Sequence, residues 1–490
     1  MSIIQVSNLT FAYEGSPEDV FTNATFNLDT DWKLGFTGRN GRGKTTFLNL
    51  LMGKHEYSGT ITASVQFCLF PSPIPDETLT ALEVSREACG RDDWEIVREA
   101  SLMDLPPEAL DRPFCTLSGG ERTKVLLASM FLTEGAFPLI DEPTNHLDLQ
   151  GRKAVSLYMQ KKKGFILVSH DRAFLDQTVD HILSINKQNI EIQSGIFSTF
   201  MANKTAQDNL EAQQNESLKT EIQRLTATAR KVSEWSGKAE KGKFNTGDRA
   251  DVDRGYVGHK AAKVMKRSKS LQDRSMDAIK EKSKLLKNIE TAEDLALHPA
   301  VYHSRRIMHF SLVSVSYGDH KVFSDLGFEI ARGDRIALTG KNGSGKTTAL
   351  KLALGEDIPY EGLVERPAGL IVSHVPQDFG FLKGSLLDFA RESGIAETLF
   401  LAILRKLDFS RSQFDAPMEA ASDGQKKKIL LAKSLCESAH LYVWDEPLNF
   451  VDVYSRIQIE ELLVKFKPTL LFVEHDAAFC EKVATKTVSL

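Results

Sequence analysis

The chain has 490 residues, of which 42% are hydrophobic, and a formal net charge of −5 at neutral pH. At a typical domain size of ~150 residues this length predicts about three domains. The apolar content excludes a largely disordered chain, and the net charge excludes a general binder of polyanions.

The five cysteines are scattered, and no two of them form a CxxC pair. This pattern indicates neither a zinc site nor a disulfide framework, and it fits a reducing cytoplasm. The first residues, MSIIQVSNLTF, lack a basic segment followed by an apolar one, so no signal peptide is expected. The longest apolar runs are short, as in Leu470–Val473, whereas a membrane span needs ~20 such residues, so no membrane span is expected.

The chain contains an internal repeat in which three motifs recur at a nearly constant offset. GRNGRGKTT at 38–46 recurs as GKNGSGKTT at 340–348, FPLIDEPTNHLD at 137–148 as LYVWDEPLNFVD at 441–452, and LVSHD at 167–171 as FVEHD at 472–476. Such an offset indicates two homologous domains. We predict a first domain at residues 1–200, a linker at 201–303 and a second domain at 304–490.

Both repeats have the pattern of an α/β fold, in which β-rich runs alternate with helical stretches. The predicted strands are Lys33–Thr37 and Phe165–Val168 in the first repeat, and Arg335–Thr339 and Thr469–Val473 in the second. The predicted helices include Arg122–Phe131 and Gln425–Leu435. Tyr13 and Tyr317 are expected just upstream of a first strand.

Each repeat carries G-x-x-x-x-G-K-T between a predicted strand and a predicted helix. The glycines let backbone N–H groups turn towards phosphates, the lysine meets the β- and γ-phosphate charge, and the first threonine ligates Mg²⁺. A chance glycine-rich turn does not explain two copies at a fixed offset. The predicted ATP-binding residues are Gly38, Asn40, Gly41, Gly43, Lys44, Thr45 and Thr46, with Gly340, Asn342, Gly343, Gly345, Lys346, Thr347 and Thr348.

An Asp-Glu pair ends an apolar run in each repeat. Asp141 and Asp445 are predicted to hold Mg²⁺, and Glu142 and Glu446 to polarise the attacking water. The alternative is a surface pair that caps a helix, but its recurrence after a phosphate loop in both repeats argues against that.

A histidine follows a predicted buried strand in each repeat, at His170 and His475. A single histidine there is more often a packed core residue. Matching positions in two phosphate-loop domains favour a contact with the γ-phosphate.

The segment LSGGERTK at Leu117–Lys124 lies just upstream of the first Asp-Glu pair. Ser118, Gly119 and Gly120 stand at the predicted start of a helix, where free backbone N–H groups form an anion site.

A linker of different character separates the repeats. Leu218, Ile222, Leu225, Ala229 and Val232 follow a heptad spacing, and 236–258 is rich in glycine and polar residues. We predict a long antiparallel helical hairpin that turns there. Residues 226–270 hold 12 basic and 5 acidic residues, so the positive charge is concentrated at the far end. The alternative is a solvated spacer or a coiled coil for dimerisation.

The phosphate loop, LSGG, DEPTNHLD and SHD, in this order, resemble the ATP-binding-cassette nucleotide-binding domain over about 390 residues. The resemblance implies head-to-tail pairing of the two domains within one chain. In the family the LSGG segment is called the signature, and the signature of one domain faces the phosphate loop of the other. Site one then joins Gly38–Thr45, Asp141, Glu142 and His170 to the signature of the second repeat. Site two joins Gly340–Thr347, Asp445, Glu446 and His475 to Ser118–Gly120. It also implies that Tyr13 and Tyr317 stack on adenine, with a core tyrosine as the alternative.

Two departures from the family pattern predict unequal sites. The second signature reads Ala421-Ser422-Asp423-Gly424-Gln425, so an aspartate replaces the first glycine. Ser422, Gly424 and Gln425 are still expected at the nucleotide. The Q-loop is the segment of the family that carries a characteristic glutamine. In the second repeat this glutamine is present as Gln377, a predicted Mg²⁺ ligand, but the first repeat has Phe70-Pro71-Ser72 at the matching place.

Tandem cassettes with a long basic linker and no expected membrane span resemble the ABC-F family. Lys44 and Ser118 are 74 residues apart, and Lys346 and Ser422 are 76 apart, which leaves no room for the arm insertion of housekeeping members. The long linker, with RGYVGHK at 254–260, is similar to the Lsa-type antibiotic-resistance members.

This resemblance implies that the linker enters the ribosomal E site, towards the P-site tRNA and the peptidyl-transferase centre, and relieves inhibition by lincosamides, pleuromutilins and streptogramin A. The implied partners are large-subunit rRNA and P-site tRNA, with no membrane and no DNA, for a cytoplasmic, ribosome-associated monomer. The expected RNA contacts are Tyr256, Lys260, Lys263, Lys266, Arg267 and Lys269. The alternative for Tyr256 is packing against Phe244 or Val257.

Three other functions stay open from sequence alone. A housekeeping ABC-F translation factor is disfavoured by the missing arm, and the ATPase subunit of a membrane transporter has no use for the basic linker. A DNA-repair cassette ATPase usually carries zinc modules, for which the cysteines do not suffice.

Overall fold

A computed structural model of the chain describes residues 2–14, 19–185, 190–241, 266, 295–318 and 320–490. Contacts between Cα atoms divide the chain into two compact units. One consists of Met1–Phe200 with Ala292–Leu490, and the other of Met201–Thr291.

The first cassette combines a small antiparallel sheet with a larger, mainly parallel one. The small sheet has the order β2-β1-β4, formed by β1 (Ile3–Phe11), β2 (Phe21–Asp29) and β4 (Ser58–Thr62). The large sheet has the order β5-β6-β7-β3-β8-β9, formed by β3 (Lys33–Gly38), β5 (Gln66–Phe70), β6 (Ala136–Asp141), β7 (Phe165–Val168), β8 (His181–Ile185) and β9 (Ile190–Ser194). Only β9 runs antiparallel to its neighbour in this sheet.

Seven helices accompany these strands in the described part of the first cassette. They are α1 (Lys44–Leu51), α2 (Ala81–Cys89), α3 (Asp93–Ser101), α4 (Pro107–Leu110), α5 (Gly119–Leu132), α6 (Leu149–Gln160) and α7 (Arg172–Thr178). The ring of Phe47 on α1 packs edge-on against Phe36 of β3 in the core, with centroids 5.7 Å apart. This packing fixes the two elements that flank the first phosphate loop.

The second cassette repeats this architecture. Its antiparallel sheet has the order β11-β10-β13, formed by β10 (Arg306–Tyr317), β11 (His320–Ala331) and β13 (Glu361–Glu365). Its parallel sheet has the order β14-β15-β16-β12-β17, formed by β12 (Arg335–Thr339), β14 (Val372–Val375), β15 (Leu441–Asp445), β16 (Leu470–Val473) and β17 (Lys486–Ser489). Its helices are α9 (Lys346–Leu354), α10 (Leu386–Glu392), α11 (Glu397–Lys406), α12 (Arg411–Phe414), α13 (Asp423–Cys436), α14 (Val453–Phe466) and α15 (Ala477–Val483).

The strand order brings the sequence motifs to one edge of each parallel sheet. The phosphate loops follow β3 and β12, the Asp-Glu pairs end β6 and β15, and the histidines follow β7 and β16. Because these strands are parallel neighbours, their carboxyl ends meet at the same edge. The predicted strands and helices of both cassettes are confirmed. Instead of preceding the first strand of its cassette, however, Tyr13 follows β1 and Tyr317 is the last residue of β10.

The first helix of the linker, α8, spans Phe197–Lys241. Leu218, Ile222 and Leu225 of the predicted seam are half-buried, whereas their neighbours are mostly exposed. The helix continues to Lys241, so the turn that we predicted from Ser236 onward does not begin there. Helices tolerate polar residues, and the glycine at 237 only weakens the helix. The return side of the hairpin lies outside the described residues.

No helix in the described ranges has an apolar stretch long enough to cross a membrane.

Candidate functional site: two composite nucleotide sites

A cavity of about 500 Å³ lies at the second phosphate loop and is lined by both cassettes. The second cassette contributes phosphate-loop residues with Gln377, Glu446 and His475. The first contributes Gly119 of its signature and the following segment 145–147. Most of the residues expected at site two thus meet around one cavity, whereas Gly340, Asp445, Ser118 and Gly120 are not part of its lining.

Matching hydrogen bonds join the cassettes at both sites. The side-chain amide of Asn342 donates to the carbonyl of His146 at 3.2 Å, and its backbone N–H to Asp148 at 3.4 Å. On the other side, the side-chain amide of Asn40 donates to the carbonyl of Phe450 at 2.8 Å. Each phosphate loop is therefore held against the loop that follows the Asp-Glu pair of the opposite cassette.

The glycine before each phosphate-loop lysine is required by its geometry. Gly43 and Gly345 have φ values of 91° and 88°, and a Cβ atom on either would lie 2.4 Å from a valine methyl group. This left-handed conformation lets α1 and α9 begin at the lysine with N–H groups that no side chain caps. Such helix termini bind phosphate.

The two lysines lie buried over their own loops. Lys44 donates to the carbonyls of Gly38 and Arg39 at 2.7 and 3.1 Å, and Lys346 makes the same pair of bonds at 3.0 and 2.9 Å. Burial lowers the pKa of both ammonium groups, and nearby carboxylates partly offset this effect. Each lysine is thus poised among carbonyl oxygens that phosphate oxygens can replace.

The donor set beside each loop fits a small, hard cation such as Mg²⁺. The hydroxyl of Thr45 donates to Asp141 at 2.8 Å, and Thr347 hydrogen-bonds Asp445 in the same way. Oδ1 of Asp445 is buried without a hydrogen-bond partner. Burial raises the pKa of both aspartates above their ordinary value. A nearby cation would stabilise their ionised form, and carboxylate and hydroxyl oxygens are the ligands that Mg²⁺ prefers.

Both glutamates that follow these aspartates have strained backbones. The φ values of Glu142 and Glu446 are 51° and 46°, in the left-handed region that non-glycine residues rarely adopt. Their backbone N–H groups donate to the carbonyls of Val168 and Val473, which hold this conformation. Strain of this kind concentrates at functional sites because the surrounding structure must maintain it.

The two glutamates differ in their partners. Oε2 of Glu446 accepts from Gln377 at 3.1 Å and from Asn449 at 2.6 Å, and Oε1 lies 3.4 Å from Nε2 of His475. Burial raises the pKa of Glu446, but His475 and the other donors outweigh burial, so its pKa is below the ordinary value.

At site one the glutamate is less well held. Oε1 of Glu142 is buried without a hydrogen bond, at 3.5 Å from Nε2 of His170. Burial and the charge of Asp141 raise the pKa of Glu142 to about 8, and burial lowers that of His170. A cavity of about 640 Å³, lined in part by Phe70 and Pro71, lies next to this glutamate. The Q-loop glutamine of site two has no counterpart there.

The two tyrosines are surface residues and not core residues. Tyr13 and Tyr317 are 45% and 53% exposed, which excludes the alternative of a packed core tyrosine. The hydroxyl of Tyr13 hydrogen-bonds Thr46 at 2.8 Å, and Tyr317 lines the cavity of site two. The ring of Tyr13 also packs edge-on against Phe11 and His55, with centroids 5.0 and 5.8 Å apart, and stacking of both tyrosines on adenine stays a prediction.

Both signatures begin a helix with a capping box. The hydroxyl of Ser118 accepts from the backbone of Glu121, and Ser422 caps Gln425 in the same way. Asp423 occupies the first turn of α13 and is exposed. A Cβ on Gly424 would lie 2.4 Å from the carbonyl of Phe450, so this glycine is required where the cassettes meet.

Sequence reasoning missed the charged contacts between the cassettes. Asp408 pairs with Arg42 at 3.4 Å beside the first phosphate loop, and Arg152 donates to the carbonyl of His475 at 3.0 Å. Arg172 pairs with Glu460. Arg152 lies near the repeated motifs, but no pattern identifies its partner in the other cassette.

The predicted RNA contacts cannot be placed in the fold. Tyr256, Lys260, Lys263, Arg267 and Lys269 lie outside the described residues. Lys266 is described as helical and exposed. Their roles stay predictions from sequence.

Comparison with known proteins places the cassettes in a family. The family model described as ABC transporter matches residues 21–145 and 323–449. The chain is 27% identical over 497 residues to the ribosome protection protein VmlR of Bacillus subtilis, covering 98% of this chain and 85% of that protein. It is 28% identical over 485 residues to the ATP-binding protein Uup of Caulobacter vibrioides, covering 96% and 74%.

A solved structure supports the same fold. The archaeal ribosome recycling factor aABCE1, in complex with the ribosomal stalk protein aP1, has a TM-score of 0.62 at 19% identity, covering 94% of this chain and 84% of that one. The family match includes both phosphate loops and both Asp-Glu pairs. The chain therefore belongs to the ATP-binding-cassette family, as a tandem-cassette ATPase that resembles the ABC-F proteins.

Proposed function

We propose that the protein is a ribosome-binding ABC-F ATPase that inserts its linker into the E site towards the peptidyl-transferase centre. There it relieves inhibition by lincosamide, pleuromutilin or streptogramin A antibiotics. The proposal rests on one observation above all: the two cassettes close on each other around composite sites, and a basic linker joins them. The name of the relative VmlR supports it.

ATP binding would close the cassettes, and hydrolysis would release the protein from the ribosome. Thr45 and Asp141 at site one, and Thr347, Asp445 and Gln377 at site two, would hold Mg²⁺. When bound, this ion neutralises phosphate charge. Lys44 and Lys346 would donate to the β- and γ-phosphates. The glutamates would orient the water and accept its proton, and the histidines would contact the γ-phosphate.

The linker would supply the contacts with RNA. Lys260, Lys263, Lys266, Arg267 and Lys269 would neutralise phosphates of large-subunit rRNA and P-site tRNA, and Tyr256 would stack on a base. The protein would act as a monomer, because each composite site is completed within one chain. Its place would be the cytoplasm, on the ribosome.

Sedimentation with purified ribosomes tests this proposal. The double variant Glu142→Gln, Glu446→Gln should bind ATP but lose about 10²–10⁴ in hydrolysis rate, because each site lacks its positioned base. We expect it to co-sediment with ribosomes in ATP more fully than the parent. Changing the five basic residues to alanine in this background should weaken binding and flatten its salt dependence, because fewer counterions are released.

A matched control exchanges Lys204 and Lys219, which lie in the linker outside the basic region 226–270, for alanine. This control should leave the salt dependence unchanged. If the double variant bound membranes or DNA and did not bind ribosomes, this result would contradict the proposal. Ribosome binding without any protection from the three drug classes would support a housekeeping role instead.

A further inference from the structure

Lys427 is a buried cation outside the predicted nucleotide-binding motifs. It lies on α13 and is 1% exposed. Its ammonium donates to the carbonyl of Pro376 at 2.9 Å and to that of Asp445 at 3.4 Å. It therefore connects the Q-loop, the signature helix and the end of β15.

The charges around this lysine belong to site two. It lines the same cavity as Glu446 and Gln377. Burial lowers the pKa of Lys427, whereas Glu474, Asp445 and Glu446 raise it. Burying an ammonium without compensation is costly, so carbonyls and carboxylates must balance its charge.

The first cassette lacks this arrangement. Thr123 stands in the equivalent position, five residues after Ser118 as Lys427 is after Ser422, and it lines the larger cavity beside Glu142. The neighbouring loop there consists of Phe70 and Pro71 without the glutamine. The better-held glutamate is therefore the one whose cassette has the buried lysine.

We propose that Lys427 is a positioning residue for ATP hydrolysis at site two. It fixes the Q-loop to the end of β15, so that Gln377 keeps its hydrogen bond to Glu446 while water attacks the γ-phosphate and ADP leaves. The lysine acts through these two residues and not by transferring a proton. The inference depends on the ATPase activity and not on ribosome binding, so its test uses the full-length protein without ribosomes.

The test is a double-mutant cycle between Lys427→Met and Glu446→Gln, read by steady-state ATP hydrolysis. Methionine keeps an unbranched side chain of nearly the same length and removes the charge. In the parent, Lys427→Met should lower kcat by about tenfold and change KM by less than about twofold, because it removes an interaction that matters in the transition state. In the Glu446→Gln background the same change should have no further effect on kcat, since the two residues act as one unit.

Two further variants keep the test decisive. Lys427→Thr copies the first cassette, and it should lower kcat in the same way if the methionine variant does not fold. Lys433→Met removes a lysine of the same helix whose partner is Glu437, and it should leave kcat unchanged. An equal fractional loss of kcat in both backgrounds, or a rise in KM with unchanged kcat, would overturn the proposal.

Discussion

Arg172 of the first cassette forms a two-pronged ion pair with Glu460 of the second, in which both terminal guanidinium nitrogens reach the carboxylate. Glu460 is fully buried and also pairs with Lys482 at 3.2 Å. At the equivalent positions of the repeat the chain has Ala477 and Ser156. The ion pair therefore exists on one side of the pseudosymmetric interface only.

Removing this arginine should destabilise the paired cassettes. Arg172→Ala leaves a buried carboxylate with one lysine partner, and breaking a buried pair typically costs about 3–5 kcal/mol. Because Lys482 remains, we expect the free energy of unfolding to fall by an amount near the lower end of this range. The melting temperature, measured by differential scanning calorimetry, should fall by several degrees. The control is Arg391→Ala, which breaks the exposed pair with Glu397 and should have little effect. Equal melting temperatures for both variants would contradict this prediction.

Glu474 should make stability depend on pH. It replaces Ser169 of the first cassette, it is buried, and its Oε2 has no hydrogen-bond partner. Burial raises its pKa to about 8, against the effect of Arg456. The folded state therefore binds a proton that the unfolded state loses, and the contribution to stability is lost as pH rises from about 4.5 towards 8.

Glu474→Gln should remove this dependence. We expect the variant to be more stable than the parent at pH 8, on the order of 1–3 kcal/mol, and similar to it at pH 5, because glutamine carries no charge. Thermal unfolding at both pH values measures the difference. A variant that is less stable than the parent at pH 8 would show that the ionised carboxylate is stabilised by its arginine neighbours.

The two nucleotide sites should contribute unequally to turnover. Glu446 is held by Gln377 and Asn449, whereas Oε1 of Glu142 has no hydrogen bond. We therefore expect Glu446→Gln to reduce steady-state ATP hydrolysis more than Glu142→Gln. Nucleotide binding by both variants, measured with a fluorescent ATP analogue, serves as the control. Equal rates for the two single variants would refute the inequality.

The motif chemistry was predictable from sequence because it depends on residues close together in the chain. The phosphate loop with Lys44 is a local structure, and the strand that ends at Asp141 places its carboxylates by the rules of parallel sheets. The recurrence of both motifs at one offset also predicted the second cassette.

Contacts between the cassettes could not be predicted in the same way. Arg172 and Glu460 are 288 residues apart, and their pairing depends on how two folded domains dock. The sequence shows that position 477 lacks the arginine, but it does not show what that arginine touches. The burial of Lys427 could not be predicted either, because a lysine on a helix usually faces solvent.

Gly424 should be needed for closure at site one. A Cβ there would lie 2.4 Å from the carbonyl of Phe450 and 2.6 Å from Nδ2 of Asn40, which hydrogen-bond each other at 2.8 Å. Gly424→Ala should therefore break this contact between the cassettes and weaken ATP binding at site one by about tenfold, the equivalent of ~1.4 kcal/mol. The control is Gly327→Ala, where the added Cβ meets only an ordinary contact. Unchanged ATP affinity, measured by titration calorimetry, would contradict the prediction.

Tyr256 should carry the protection from antibiotics, if the proposed function holds. The residue lies outside the described residues, so this prediction rests on its place between Gly255 and Gly258 with Arg254 and Lys260 nearby. An aromatic ring without an apolar neighbourhood stays exposed unless a partner covers it, and the flanking cations favour nucleic acid. Stacking on a base contributes roughly 1–3 kcal/mol, enough to hold one rRNA nucleotide in a shifted position.

We expect Tyr256→Ala to abolish growth of a drug-sensitive host in lincosamide and Tyr256→Phe to retain it, because phenylalanine keeps the stacking ring. Ribosome binding should be the same for both variants, since the basic residues supply most of the affinity through phosphate contacts. Full protection by the alanine variant would exclude stacking as the cause. Loss of protection by both variants would instead assign the effect to the tyrosine hydroxyl, which can hydrogen-bond RNA as phenylalanine cannot.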